Sequence, residues 1–202
     1  MWRDVFDVFG TDPCPLMNRK AGRPLSLAGD ETRVSWEATQ GSRPLWMVMQ
    51  FFQGWSTDRW PTQEELRTMS LMAVTEGARG LFYWSFGSRA LLWVSDPQQR
   101  EDYWQRLVEV TKELKTLEPA LVAPDALEVV TDISDNQIRW RTRAVDGKWF
   151  VFAYLPATSF SDRFEDNEAE VVFTFEDGRH VRKTFRPDMA DWFVLEQEPQ
   201  ER

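Results

Sequence analysis

The sequence predicts an α/β portion followed by an all-β portion, the second a small antiparallel β-sandwich. Residues 1–120 alternate short apolar runs with amphipathic stretches, as the strand–helix units of a parallel sheet do. From Leu127 onward the apolar period changes to two, the mark of strands with one covered face. The 202 residues, 42% apolar and 28% charged, can bury a core and suffice for one domain with a small companion.

In order along the chain, Val5–Phe9 is the first strand expected, ending in Gly10-Thr11-Asp12-Pro13. A helix is predicted over Asp30–Thr39. Leu45–Phe52 is the second strand, ending in Gln53-Gly54, and Leu81–Phe86 is the third. Such near-continuous apolar runs predict a sheet covered on both faces, because alternation disappears where both sides are dry. Between these strands, Thr62 offers an N-cap and Glu65 its reciprocal capping-box partner, with Leu66, Met69 and Ala73 on one helix face and Gly77 as the stop. Ser95-Asp96-Pro97 opens another helix, in which Tyr103, Leu107, Val110, Leu114 and Leu117 keep a three–four spacing until Pro119 ends it.

The α/β portion is assigned to residues 1–120 and the sandwich to 125–198, with the boundary near Pro119–Pro124. Within the second portion Ile138, Trp140, Thr142 and Ala144 point one way while Arg139, Arg141 and Arg143 point the other, which predicts a half-buried sheet. Asp146-Gly147 and Asp177-Gly178 are hairpin turns that can take positive φ. They pair Ile138–Val145 with Lys148–Leu155 and Ala169–Glu176 with Arg179–Phe185. Trp192–Leu195 is the last of about six strands.

Charge and cysteine content narrow the chemistry. The net charge of −9 disfavours nucleic acid, which calls for a basic footprint. Residues 1–120 carry 14 basic and 16 acidic side chains and residues 121–202 carry 10 and 17, so the acidity lies mostly in the second portion, as a solvated surface. No window approaches 18 uninterrupted apolar residues, and Arg3, Asp4 and Asp7 interrupt the start, so neither a membrane helix nor a signal peptide is expected. The lone Cys14 and lone His180 leave no set of Cys or His ligands for zinc, and no cofactor or metal is implied. Met47, Met49, Met69 and Met72 read as helix–sheet packing.

In a parallel βα arrangement the loops after the carboxyl ends of strands converge, and function gathers there. The first such loop supplies Asp12, the second Gln50, Gln53, Trp55 and Trp60, and the third Tyr83, Trp84 and Ser85. Indole faces among amides and hydroxyls suit a carbohydrate, whose C–H faces stack on rings while its hydroxyls need partners. Core or domain-interface packing is the competing explanation for each Trp.

Asp7-Val8-Phe9-Gly10-Thr11-Asp12-Pro13-Cys14-Pro15, Arg43-Pro44-Leu45-Trp46-Met47-Val48-Met49-Gln50-Phe51-Phe52 and Gly80-Leu81-Phe82-Tyr83-Trp84-Ser85-Phe86-Gly87 together resemble strands six, seven and eight of a clan A, β-galactosidase-like glycoside hydrolase. Such enzymes often append a C-terminal β-sandwich. The resemblance therefore implies a partial (β/α) barrel of three βα units followed by that sandwich. It implies a retaining mechanism, with an acid/base Glu after strand four and a nucleophilic Glu ending strand seven, the carboxyls about 5–5.5 Å apart. Strand four would precede residue 1. The nucleophile position holds Gln50, a neutral amide, and no Glu occurs between Glu37 and Glu64; Asp58 is the loop substitute. The family places a sugar-stacking Trp after strand eight, often through a cis peptide to the next residue, and Trp84-Ser85 matches it. Cys14 stands where the family usually has Tyr. Without a neighbouring base Cys14 reads as inert, and His180, in an expected exposed strand, as non-catalytic.

Three parallel strands cannot close a barrel, and open sheet edges pair with other strands unless covered. The expected partners are accordingly a carbohydrate ligand and either a missing N-terminal barrel half or a second copy, with no nucleic acid and no membrane. The function expected is that of the C-terminal fragment of a glycoside hydrolase-like protein, not catalytic alone. The alternative is a non-catalytic carbohydrate-binding or structural interaction module.

Overall fold

The computed structural model describes residues 5–17, 24–53, 59–87, 90–157 and 168–197. The first portion contains α1 (Leu27–Thr39), β1 (Leu45–Gln50), α2 (Gln63–Thr75), β2 (Ala78–Trp84), α3 (Pro97–Thr116) and α4 (Glu118–Val122). The second contains β3 (Val130–Ile133), β4 (Arg139–Val145), β5 (Lys148–Leu155), β6 (Ala169–Phe175), β7 (His180–Phe185) and β8 (Met189–Glu196). None of the described helices is long and apolar enough to cross a membrane.

β1 and β2 are parallel neighbours. The strand expected at Val5–Phe9 is reduced to one parallel bridge between Phe9 and Leu45. Its pairing continues beyond the expected end, with Trp46 N donating to Phe9 O at 2.8 Å and Val48 N to Thr11 O at 2.9 Å. Gly10 permits this close approach, since a Cβ there would meet the Trp46 carbonyl oxygen at 1.8 Å. Three chain segments thus run parallel in the expected order, the first as an irregular edge.

α2 forms as its capping signals dictate. Thr62 accepts from Glu65 N at 3.1 Å, and Glu65 Oε2 accepts from Thr62 N at 2.9 Å. Gly77 closes the helix at φ 105°. Every residue from Glu65 to Thr75 except Arg67 is buried, because the helix lies between two sheets. Met69, Met72 and Ala73 share one core with Met47 and Met49 of β1 and with Phe152, Tyr154 and Ala190 of the second portion. α3 starts where expected, with the Asp96 side chain accepting from Gln98 N at 2.9 Å. Pro119 corrects its expected end: it lies in the first turn of α4, where a proline needs no N–H, so the chain turns and resumes a helix there.

The six strands of the second portion form two antiparallel sheets, ordered β3-β6-β7 and β4-β5-β8. Both hairpins occur as expected, Val145 opposite Lys148 and Thr174 opposite His180. Asp146 and Gly147 adopt φ of 52° and 69°, as this tight turn demands. Between the sheets lies a second core that includes Val151 and Phe193 from one and Phe173, Phe175 and Phe185 from the other.

Two burial expectations are corrected. The sheet of β1 and β2 is fully covered on one face and only partly on the other: Met47 and Met49 are buried against α2, whereas on the opposite face Gln50 is buried but Trp46 and Phe82 are 42% and 51% exposed. Conversely, β4 is not half-buried. Arg141 and Arg143 are almost fully enclosed, because their side of the sheet packs on α2 and α4. Arg141 Nε donates to Thr75 O at 2.6 Å and Arg143 Nη2 reaches Val74 O at 3.5 Å, so guanidiniums cap the carbonyl end of α2 where its dipole is negative. Arg143 also donates to the carbonyls of Ala120 and Leu121, and Asp125 pairs with Arg79, Arg141 and Arg143. Nearby, the Tyr154 hydroxyl donates to Glu76 Oε1 at 2.6 Å, and Arg139 bridges Glu76 at 3.4 Å and Asp30 at 2.8 Å. Arg67 completes the joint, gripping Glu113 of α3, Asp191 of β8 and the Ala190 carbonyl.

Candidate functional site

The parallel register decides which candidates meet. Trp46 stands opposite Gly80, Val48 opposite Phe82 and Gln50 opposite Trp84. Side chains alternate across a strand, so Trp46, Val48, Gln50, Phe82 and Trp84 belong to the sheet face turned away from α2. Trp46 and Phe82 touch there with ring centroids 5.4 Å apart. Trp84 is 64% exposed at the carboxyl end of β2. The sheet's last rung is doubly tied, Phe51 N donating to Trp84 O at 2.6 Å and Ser85 N to Phe51 O at 3.1 Å. The Trp84–Ser85 peptide is cis, as the resemblance implies.

Gln50 is fully buried at this end, and both ends of its amide are engaged. Its Oε1 accepts from Leu16 N at 2.9 Å and its Nε2 donates to Phe52 O at 3.4 Å. The side chain therefore latches the short helical turn Pro15–Met17 onto the end of β1. A carboxylate could accept from Leu16 but could not donate to Phe52, so the local bonding fits an amide.

The remaining sequence candidates separate. Tyr83 is corrected to the opposite face: it pairs with Met49 in register, and its hydroxyl shares a hydrogen bond of 2.8 Å with Ser70 Oγ of α2. Burial there pushes its pKa up to about 12, a rise that the Ser70 contact reduces. The period of two within β2 already carried this signal, since neighbours such as Tyr83 and Trp84 cannot share a face. Asp12 is exposed in the loop after the first segment, and its carbonyl accepts from Cys14 Sγ at 3.4 Å. Burial first, then the charges of Asp12 and Glu31, push the Cys14 thiol up to about 11, which keeps it protonated and unreactive near neutrality. His180 is exposed and its Nδ1 lies 3.1 Å from Thr174 Oγ1 within the hairpin. Trp55 and Asp58 lie outside the described residues.

The structure thus brings Gln50 and Trp84 together, adds Ser85 through its backbone, leaves Asp12 on a neighbouring loop and removes Tyr83. Phe82 and Trp46 were not among the sequence candidates, although strand alternation places them on the Gln50 face. The assembled surface is aromatic, with the Gln50 amide enclosed beneath it. Its exposed Trp84 ring offers stacking, and the buried amide at its side is no nucleophile.

No protein-family model matches the chain, and no curated protein matches it. Solved structures similar to it include a GH30 endoxylanase from Clostridium papyrosolvens, with 11% identity and a TM-score of 0.48 over 96% of this chain. Eubacterium rectale Amy13B has 12% identity and a TM-score of 0.42 over 98% of this chain. The cyclic α-maltosyl-(1→6)-maltose hydrolase of Arthrobacter globiformis, in its ligand-free form, has 12% identity and a TM-score of 0.37 over 83%. The chain spans about half of each, 50%, 50% and 44% of their respective lengths.

Proposed function

We propose that this chain is the C-terminal part of a glycoside hydrolase-like protein acting on carbohydrates, and that it does not catalyse by itself. In this reading residues 1–120 are a partial barrel segment and residues 125–198 a β-sandwich built onto it. The observation that carries the reading is the pairing of Gln50 with Trp84 at the carboxyl end of two parallel strands. The resemblance expects a nucleophile at the first position and a sugar-stacking ring at the second. The ring is present and solvent-facing, but the nucleophile is replaced by a buried amide that cannot form a glycosyl-enzyme bond. An acid/base carboxylate would have to come from a preceding strand.

The open sheet supports the same reading. Among the described residues β2 pairs on one side only, and the face bearing Trp46, Phe82 and Trp84 is uncovered by α2 or the second portion. Further βα units or a second copy of the chain would cover both. A non-catalytic carbohydrate-binding module is the second reading, favoured by the exposed Trp84 ring beside a fully bonded amide.

Incubation of the chain with chromogenic β- and α-glycosides is the direct test, with no release expected. Gln50→Glu is expected to remain inactive, since one carboxylate does not make a retaining pair. Hydrolysis by the unmodified chain that disappears in Trp84→Ala would overturn the inactive reading. Sedimentation at micromolar concentration tests the open sheet: reversible association is expected, and a monomer at all concentrations counts against it.

A further inference from the structure

A cleft of about 380 Å³ opens on the helix side of the same end of the molecule and shares no residue with the Gln50–Trp84 pair. Its walls come from Gln53 in the loop after β1, from Trp60 ahead of α2, from the turn Leu91–Trp93 after β2, and from Gln99 and Tyr103 of α3. The volume lies in the lower part of the ~300–1,000 Å³ range of small-ligand sites.

The lining is chemically selective. In a chain with 28% charged residues, no ionisable acid or base other than the Tyr103 phenol lines this cleft. The polar groups are the amides of Gln53 and Gln99 and the hydroxyls of Ser95 and Tyr103, and none of these side chains makes a hydrogen bond to another described residue. The apolar groups are the indoles of Trp60 and Trp93 with the small side chains of Ala90 and Val94. Trp60 is buried and stacked on Tyr103, centroids 4.7 Å apart and planes 14° from parallel, and Phe51 meets it edge-on at 5.1 Å. That stack is a fixed floor. Trp93 stands 68% exposed at the rim, on a turn pinned by the buried Leu91 and by the bond from Trp93 N to Ala90 O at 3.0 Å.

Uncharged walls disfavour an ionic ligand, uncommitted amides and hydroxyls call for one rich in hydroxyl groups, and a presented indole calls for one with an apolar face. We infer that this cleft is a carbohydrate-binding site for a neutral oligosaccharide, with Trp93 as the stacking platform and Gln53 and Gln99 as its hydrogen-bonding partners. The inference rests on the carbohydrate reading above but assigns a second, separate locus. It would hold a glycan chain beside the strand ends rather than on them.

The test is titration of the whole chain with cellohexaose, xylohexaose and maltohexaose, followed by calorimetry, on the unmodified protein and on Trp93→Ala, Gln99→Ala and Trp84→Ala. Circular dichroism verifies that each variant folds; all three side chains are exposed. Trp93→Ala is expected to weaken binding of at least one hexasaccharide about tenfold, the scale of one lost stacking contact, and Gln99→Ala about threefold. Because Trp84 is itself read as a sugar-stacking ring, Trp93→Ala is compared on both backgrounds and is expected to weaken binding by the same factor, within about twofold, in the unmodified chain and in Trp84→Ala. Loss with Trp84→Ala but not with Trp93→Ala overturns the cleft and leaves the Gln50–Trp84 reading standing. A Trp93→Ala effect that vanishes in the Trp84→Ala background overturns a separate site. No binding of any hexasaccharide, or equal binding of an uncharged hexapeptide, overturns it as well.

Discussion

The sheet of β1 and β2 and the sheet of β4, β5 and β8 touch the same helix and are finished very differently. β5 is covered on both sides: Val151 faces one core and Phe152 the other, and neither has any exposed surface. β1 presents Met47 and Met49 to α2 and leaves Trp46 to solvent. Apolar strands are equally stable in either arrangement only where something covers them, since each exposed ring forgoes its burial energy. The contrast teaches that the described residues cover β5 on both sides, whereas they leave Trp46, Phe82 and Trp84 of the parallel sheet exposed. The buried groups sit around α2 and between the two antiparallel sheets, whereas exposed rings such as Trp84 and Trp93 lie at or beyond the strand ends.

Substitutions can break this contrast in order of size. Phe152→Ala, on the fully covered strand, empties space between β5 and α2 and is expected to cost about 3–5 kcal/mol in urea unfolding. A loss below 1 kcal/mol would mean that the two portions pack independently. Tyr154→Phe removes the donor to Glu76 and an acceptor from Arg139 while keeping the ring, with an expected loss of about 1–3 kcal/mol. Thr62→Ala opens the capping box of the helix that both sheets share, and about 1 kcal/mol should be lost without a change in fold. Phe82→Ser on the open face is expected to change stability by less than about 0.5 kcal/mol. The same variant should lower any concentration-dependent association seen by sedimentation; a large loss of stability instead would show that the face is covered in the folded monomer.

The thiol offers a measurement of a different kind. With Cys14 raised to about 11 from an ordinary 9.0, its thiolate fraction at pH 8 is lower by roughly 100-fold, and alkylation by iodoacetamide should slow accordingly relative to a free thiol. Because the folded state favours the protonated form, this contribution to stability is complete below pH 9 and is lost as the pH rises through about 11. Alkylation at the rate of a free thiol would place Cys14 in open solvent.

Local signals decided much of this molecule before any folding was considered. Thr62 with Glu65, Asp96 before Pro97, and Gly77 set helix ends because a cap is a matter of a few neighbouring residues. Asp146-Gly147 and Asp177-Gly178 set two hairpins in the same way, since the turn alone needs positive φ. What the sequence could not decide was which face of each element would be covered. The arginines of β4 read as a solvent side, yet the carbonyl end of α2 and the turn at Ala120–Leu121 arrive from elsewhere in the chain and enclose them. The apolar pattern of β1 and β2 read as dry on both sides, yet Trp46, Phe82 and Trp84 stand exposed on the face turned away from α2. Likewise, Gln50 and Trp84 become neighbours through parallel register, and Gln53, Trp93 and Tyr103 share a cleft only because three distant segments end at one height. Propensity and capping act over a handful of residues and are written locally. Burial and site assembly depend on contacts between segments tens of residues apart, and these exist only once the chain has folded.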